Sequence, residues 1–109
     1  MKFGGYDIGG TVVKQDERYT VKDNTELTNL IVSSTNLHPG MSTSGHSHAG
    51  QEEVYQFIFG RGRMTLDNET FDVYPGDTVL IKDGVFHRVH NTGIHDLYFV
   101  CVFDGKRNH

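Results

Sequence analysis

Residues 40–60 read GMSTSGHSHAGQEEVYQFIFG, and the placing of histidine and glutamate within them decides how the chain is read. His46 and His48 are one residue apart, so on an extended backbone their imidazoles point to the same side and can converge on one ion. Glu53 follows five positions later, an odd separation that would turn it away on an uninterrupted strand. Ala49-Gly50-Gln51 interrupts the strand, which lets Glu53 open a new one and face the same point. Alternation then places Tyr55, Phe57 and Phe59 on the inward side with Glu53, and Val54, Gln56 and Ile58 on the other. A second stretch, residues 76–91, reads GDTVLIKDGVFHRVHN and brings His87 in from a separate strand after an Asp83-Gly84 turn. The set offers three neutral nitrogens and one carboxylate. That suits Mn²⁺, Fe²⁺, Ni²⁺, Cu²⁺ or Zn²⁺, and not Mg²⁺ or Ca²⁺, which favour oxygen cages.

Working outward, 13 glycines lie between short β-branched and aromatic runs, a pattern of many turns. Strands are expected at residues 11–14, 27–37, 53–59, 63–66, 70–74, 78–81, 86–91 and 97–103. Pro75-Gly76 suits the centre of a type II turn, with glycine supplying the positive φ. Asp67-Asn68, Asp83-Gly84 and Asn91-Thr92-Gly93 carry hairpin turn chemistry. One helical turn is expected within residues 24–29, and no sustained 3.6-residue apolar period occurs elsewhere. Short strands at near-regular spacing imply an all-β antiparallel sandwich or barrel.

The chain of 109 residues matches one domain and is too short for two. With 14 acidic against 10 basic residues its formal charge is −4, which argues against an extended nucleic-acid-binding face. The longest apolar run, residues 97–103, is far shorter than the roughly 20 residues of a membrane helix. The start, Met1-Lys2-Phe3-Gly4-Gly5, is not a signal-peptide core. A cytoplasmic protein with no membrane or nucleic-acid partner is expected. Cys101 is the single cysteine, so no internal disulfide forms, and its apolar surroundings mark it as a buried hydrophobe.

Gly40, His46, His48, Glu53 and Gly60 resemble, position for position, the first motif of the cupin superfamily. Gly76, Gly84, His87 and Asn91 resemble the second, with Lys82 where the family usually has proline. That departure bears on the geometry of one turn and not on the ligands. The two motifs are separated by 15 residues, as in short prokaryotic cupins. The resemblance implies a cupin double-stranded β-helix, a jelly-roll barrel, forming a single domain over residues 1–109. It also implies one divalent transition metal per chain, held by His46, His48, Glu53 and His87. Glu52 is a rival to Glu53, but spacing to Gly60 and strand alternation both favour Glu53.

A divalent ion with one carboxylate and three neutral imidazoles leaves a net charge of +1 and room for a small-molecule substrate. Glu52-Glu53-Val54-Tyr55 and the following glycines look like small cupins grouped as mannose-6-phosphate-isomerase-like. The chemistry expected first is isomerisation or epimerisation of a small sugar, sugar acid or other hydroxy-carbonyl compound. Tyr55 and His38 are the candidate catalytic proton carriers. An Fe- or Cu-dependent dioxygenase is the alternative enzyme, and a non-catalytic metal or small-ligand binder is the third reading. Arg61, Arg63, Lys82 and Arg88 do not converge on the inward face, so an unphosphorylated or carboxylated substrate is favoured over a sugar phosphate. Asn91 is expected to cap the Asn91-Thr92-Gly93 turn, and His90 and His95 to lie on the surface. Gly40, Gly60, Gly76 and Gly84 are read as turn or close-approach positions that need no side chain. Both faces of residues 97–103 are apolar, and a domain of this size buries only about 65% of its unfolded surface, so a homodimer is expected.

Overall fold

The computed structural model describes residues 1–105, so His109 lies outside the described residues. Nine strands form among the described residues: β1 (Thr11–Gln15), β2 (Tyr19–Asn24), β3 (Leu30–Leu37), β4 (Glu53–Phe59), β5 (Gly62–Leu66), β6 (Glu69–Val73), β7 (Thr78–Ile81), β8 (His87–Asn91) and β9 (Leu97–Asp104). They make two antiparallel sheets, a six-stranded one in the order β1-β2-β3-β9-β4-β7 and a three-stranded one in the order β6-β5-β8. The inner faces meet in a core of Leu37, Phe57, Met64, Val73, Val89, Leu97, Phe99 and Phe103. This is a jelly-roll β-sandwich, as the alternation predicts.

The small sheet is extended by residues 40–46, which run antiparallel to β8 without forming a full strand. The Gly40 amide donates to the Asn91 carbonyl and Thr43 to Val89. His46 and His87 exchange amide–carbonyl bonds of 3.1 and 2.8 Å. The chain therefore enters the first histidine pair already paired to the strand that carries the third.

Turn chemistry accounts for most connections. Asp77 N–H bonds the Tyr74 carbonyl at 3.0 Å around Pro75-Gly76, where Gly76 has a φ of 95°. Asp67 adopts a φ of 51° in the two-residue β5–β6 hairpin. Asp83-Gly84 forms a turn, with Val85 N–H on the Lys82 carbonyl at 3.1 Å. It carries the chain from β7 in one sheet to β8 in the other and is a crossover, not a hairpin.

Four expectations are corrected. Strand β2 was not anticipated; its burial comes from pairing with β1 and β3. The strand expected over residues 27–37 begins at Leu30. No helical turn forms over residues 24–29, since Asn24 closes β2, donates to the Ile8 carbonyl at 2.6 Å and accepts the Glu26 amide at 3.0 Å. That side-chain turn competes with helix for the same backbone groups. Finally, Phe59 does not face inward. The β4–β9 register slips between Phe57 and Phe59, which leaves Phe59 44% exposed.

Candidate metal centre

Glu53 is the first residue of β4, held between Ile81 and Phe103 on the two flanking strands. It is 4% exposed, whereas Glu52 faces solvent, so the strand's alternation selects between the two carboxylates. His87 opens β8 and is 2% exposed. His48 is buried in the loop before β4, where its carbonyl accepts the Gly84 amide at 3.0 Å and the neighbouring Gly50 amide donates to Asp83 Oδ1 at 2.7 Å. The crossover turn thereby fixes the position of the His48 loop.

Ligand atoms of His48, Glu53 and His87 all lie within 4.8 Å of one another. Glu53 Oε2 and His87 Nε2 are 3.1 Å apart. Neither atom makes a directed hydrogen bond, so both are aimed at a common point more than at each other. Adjacent ligands about 2.1 Å from an octahedral ion stand roughly 3.0 Å apart, which is this spacing. His87 Nδ1 faces the Val85 carbonyl at 3.2 Å. Donation there leaves the Nε2 lone pair directed into the site, the usual outer-shell device for orienting a histidine ligand. The donor set fits a divalent transition metal, and these residues would hold it.

His46 stands beside the triad, its ring centroid 5.4 Å from that of His48 and 5.9 Å from that of His87. Burial first, then the neighbouring His87, Lys14 and His48 charges, pushes its pKa down to about 4. Its imidazole is neutral at pH 7, the form a metal requires. The histidines expected from the His-x-His spacing are therefore brought together, with His46 on the rim of the cluster.

The two candidate proton carriers part ways. Tyr55 is buried beside the centre, stacked on Phe99 at 5.3 Å and edge-on to His87 at 5.7 Å. His38 lies past the end of β3, where Leu37 pairs with Leu97, while Glu53 pairs with Phe103. Six residues of strand correspond to about 20 Å. His38 Nδ1 is 3.1 Å from Asp96 Oδ1, and its hydrogen bond, together with one from Asn36, holds the Asp96 carboxyl below its ordinary range. Its neighbourhood in sequence to the first motif does not carry over to space. Phe86 is 37% exposed and packs over Gly45.

Among the cations, Arg63 and Arg88 are exposed on the outer face of the small sheet, where they line a shallow pocket with Ser42 and His90. His90 is half-buried, its Nδ1 bonded to the Ser42 hydroxyl, and His95 is exposed. Lys14, which sequence reading passed over, lines the inner cavity together with His46 and Tyr55. A run of alternating residues on an edge strand gives no sign of this; only the pairing of β1 with β2 does.

The sequence pattern of the cupin domain matches residues 33–103, from β3 to β9 and through both motifs. The chain belongs to the cupin family. It is 33% identical over 66 residues to an oxalate-binding protein of Thermotoga maritima, covering 61% of this chain and 54% of that protein. It is 28% identical over 106 residues to a glucose-6-phosphate isomerase of Thermococcus kodakarensis, covering 85% of this chain and 56% of the isomerase. This cupin thus spans about half the length of these curated relatives. Among solved structures, a predicted oxalate decarboxylase of Thermotoga maritima superposes with a TM-score of 0.69 at 26% identity, over 78% of this chain and 80% of that one. Among the described residues no helix is long and apolar enough to cross a membrane.

Proposed function

We propose that this cupin is a metal-dependent isomerase acting on a small hydroxy-carbonyl compound. The observation that carries the reading is the buried His48–Glu53–His87 cluster opening beside a cavity that also holds Tyr55 and His46. A divalent ion there supplies Lewis-acid polarisation of a carbonyl. The residues of the chain do the rest. Buried walls of Phe99 and Cys101 exclude bulk water from the cavity, which strengthens every polar contact made inside it. Tyr55 is the residue assigned to proton relay. Isomerisation moves one hydrogen from the carbinol carbon to the carbonyl carbon and one proton from hydroxyl to carbonyl oxygen, so no oxidant is consumed. A positioned acid–base group contributes about 10²–10⁴ in rate. Resemblance to the Thermococcus isomerase supports this reading.

The test is solvent-hydrogen exchange in D₂O, followed by NMR, on a panel of hydroxy-aldehydes, hydroxy-ketones and their acids, with Mn²⁺-, Ni²⁺- or Zn²⁺-loaded protein. Exchange and interconversion are expected, lost in His48→Ala and His87→Ala together with bound metal. In Tyr55→Phe the loss is about 100-fold with metal retained. Absence of exchange across the panel overturns the isomerase reading. Substrate-dependent oxygen uptake by the Fe²⁺ form would make the protein a dioxygenase instead. A second reading, a small-acid binder without turnover, is favoured by the oxalate-binding relative; saturable binding with no exchange would establish it.

The same proposal includes a cytoplasmic homodimer. Supporting the dimer, Val32, Val102, Val54 and Leu80 form one continuous aliphatic row across the outer face of the six-stranded sheet. A flat apolar sheet face of this kind is self-complementary about a two-fold axis. The lone buried Cys101 suits a reducing compartment.

A further inference from the structure

Arginines that do not converge on the inner face converge on the outer one. Along β8, His87 and Val89 are buried while Arg88 and His90 face outward. Along β5, Gly62 and Met64 are buried while Arg63 and Thr65 face outward. The register sets these side chains in two cross-strand rows. In one, Ser42 pairs with His90, His90 with Arg63, and Arg63 with Asp72 on β6. In the other, Arg88 pairs with Thr65. Arg63 and Arg88 are thus diagonal neighbours, a separation of about 7–8 Å that long side chains bridge.

Ser42, Arg63, Thr65, Arg88 and His90 line one shallow pocket of about 290 Å³. Each arginine is tied through Nε alone, Arg63 to Asp72 Oδ1 at 3.4 Å and Arg88 to the Thr43 carbonyl at 3.1 Å. Among the described residues their Nη groups make no hydrogen bond. His90 is held through Nδ1 by the Ser42 hydroxyl; with that hydroxyl donating, Nε2 carries the ring hydrogen. Two guanidinium groups, a ring N–H and the Thr65 hydroxyl are therefore gathered at one place. Like charges on adjoining strands repel, an arrangement that an anion relieves. Among the described residues no carboxylate lines the pocket, although the chain carries 14 acidic against 10 basic residues. Asp72 lies beyond Arg63, on the edge strand of the sheet.

We propose that this pocket on the outer face of the small sheet binds the phosphate group of a small phosphate monoester. A phosphate ester offers three terminal oxygens, enough for both guanidinium groups and for the ring and hydroxyl donors, where a carboxylate offers two. Near pH 7 it carries a charge of about −1.5 to −2, which offsets the two arginines. Guanidinium groups match such oxygens in pairs. The site is separate from the metal centre. Arg88 follows His87 on β8 and points to the opposite face, so a ligand held here does not reach His48, Glu53 and His87. The proposed dimer covers the outer face of the other sheet and leaves this one open. A polynucleotide is a poor occupant, since the row of donors is short and ends at Asp72.

The experiment titrates the full chain, loaded with Zn²⁺, with inorganic phosphate, methyl phosphate and acetate, read by calorimetry and by amide shifts in NMR. Wild type is expected to bind both phosphates, with shifts centred on Thr65, Arg88 and His90. Arg63→Gln and Arg88→Gln are each expected to bind phosphate about 10-fold more weakly, with zinc stoichiometry unchanged. Asp72→Asn removes a repelling carboxylate and releases Arg63 Nε, so it is expected to bind about 2- to 5-fold more tightly. Absence of phosphate binding by wild type, or equal affinity in wild type and both glutamine variants, overturns the site. Shifts centred on His46, His48 and His87 would place the anion on the metal and overturn it too. Acetate binding as tight as phosphate overturns the class of ligand. An affinity that climbs with length along a series of oligothymidylates would assign the face to single-stranded nucleic acid instead.

Discussion

Asn91 ends the second sequence motif, and its removal gives the sharpest test of how the two sheets are joined. Its side chain is completely buried. Oδ1 accepts the Gly93 amide at 2.9 Å, the turn cap expected from sequence. Nδ2 also donates to the Leu37 carbonyl at 2.9 Å and the His95 carbonyl at 2.8 Å. Leu37 ends β3 in the large sheet and Asn91 ends β8 in the small one, so a single amide ties the two layers. Three hydrogen bonds, one buried and two part-buried, at about 1 kcal/mol each, plus the void left behind, put the cost of Asn91→Ala near 3–4 kcal/mol. Against a domain stability of about 5–15 kcal/mol, and at roughly 4–8 °C per kcal/mol, Tm should fall by about 12–30 °C. Asn91→Asp separates the roles. It keeps the acceptor for Gly93 and turns oxygen toward the other two carbonyls, so it should be at least as damaging as alanine. Urea unfolding followed by circular dichroism gives the first number and calorimetry the second, with metal content measured well below the transition. A loss under about 1 kcal/mol for alanine, or an aspartate variant near wild type, would refute the tie and leave a simple turn cap.

Glycines 60 and 84 both have positive φ, but a Cβ on Gly60 would meet the Asp96 carbonyl oxygen at 2.4 Å while one on Gly84 meets nothing within 4 Å. Gly84→Ala should therefore cost only the left-handed strain of about 1–2 kcal/mol, and Gly60→Ala clearly more; equal urea midpoints would contradict this. Asp96→Asn should destabilise by less than about 1 kcal/mol at neutral pH, since the pair with His38 is half-exposed. The folded Asp96 pKa lies below its ordinary 3.8, so that contribution is present above 3.8 and fades as pH falls through the folded value. A difference from wild type that persists unchanged to pH 2 would contradict the assignment. Asp83→Ala removes the 2.7 Å contact that holds the Gly50 amide and should weaken metal affinity about 10- to 100-fold, read by competition with a chromophoric chelator; unchanged affinity would show that the His48 loop is held otherwise. Leu80 is 68% exposed at the end of the aliphatic row, and Leu80→Glu should convert the proposed dimer to monomer in sedimentation velocity; a wild type that sediments as a monomer would refute the dimer itself.

The gathering of His48, Glu53 and His87 was legible because its geometry is local. Two histidines one residue apart and a glutamate opening a strand are fixed by the period of extended chain, whatever that chain packs against. The four motif glycines were legible for the same reason, each sitting at a positive φ that its own turn demands. What escaped depends on partners. Tyr19–Asn24 becomes a strand only because β1 and β3 flank it, and its polar end is buried by that pairing. Phe59 turns outward through a slip against β9, and Lys14 turns inward through a slip against β2. A single sequence gives no register, so neither slip has a signature in it. His38 was misplaced by proximity along the chain, when strand direction carries it to the far end of the barrel.

These two kinds of feature divide the work of the site. The candidate metal end is already in order: His87 is oriented through Nδ1, Glu53 is buried at the head of its strand, His48 is pinned by the crossover turn, and His46 is neutral. Little reorganisation remains for binding to drive, and each of these supports lies within or beside the two motifs. Lys14 lies outside them, on an edge strand whose only ladder is to β2. Moving the β1–β2 bulge by one residue would withdraw the ammonium from the cavity while leaving His46, His48, Glu53 and His87 in place.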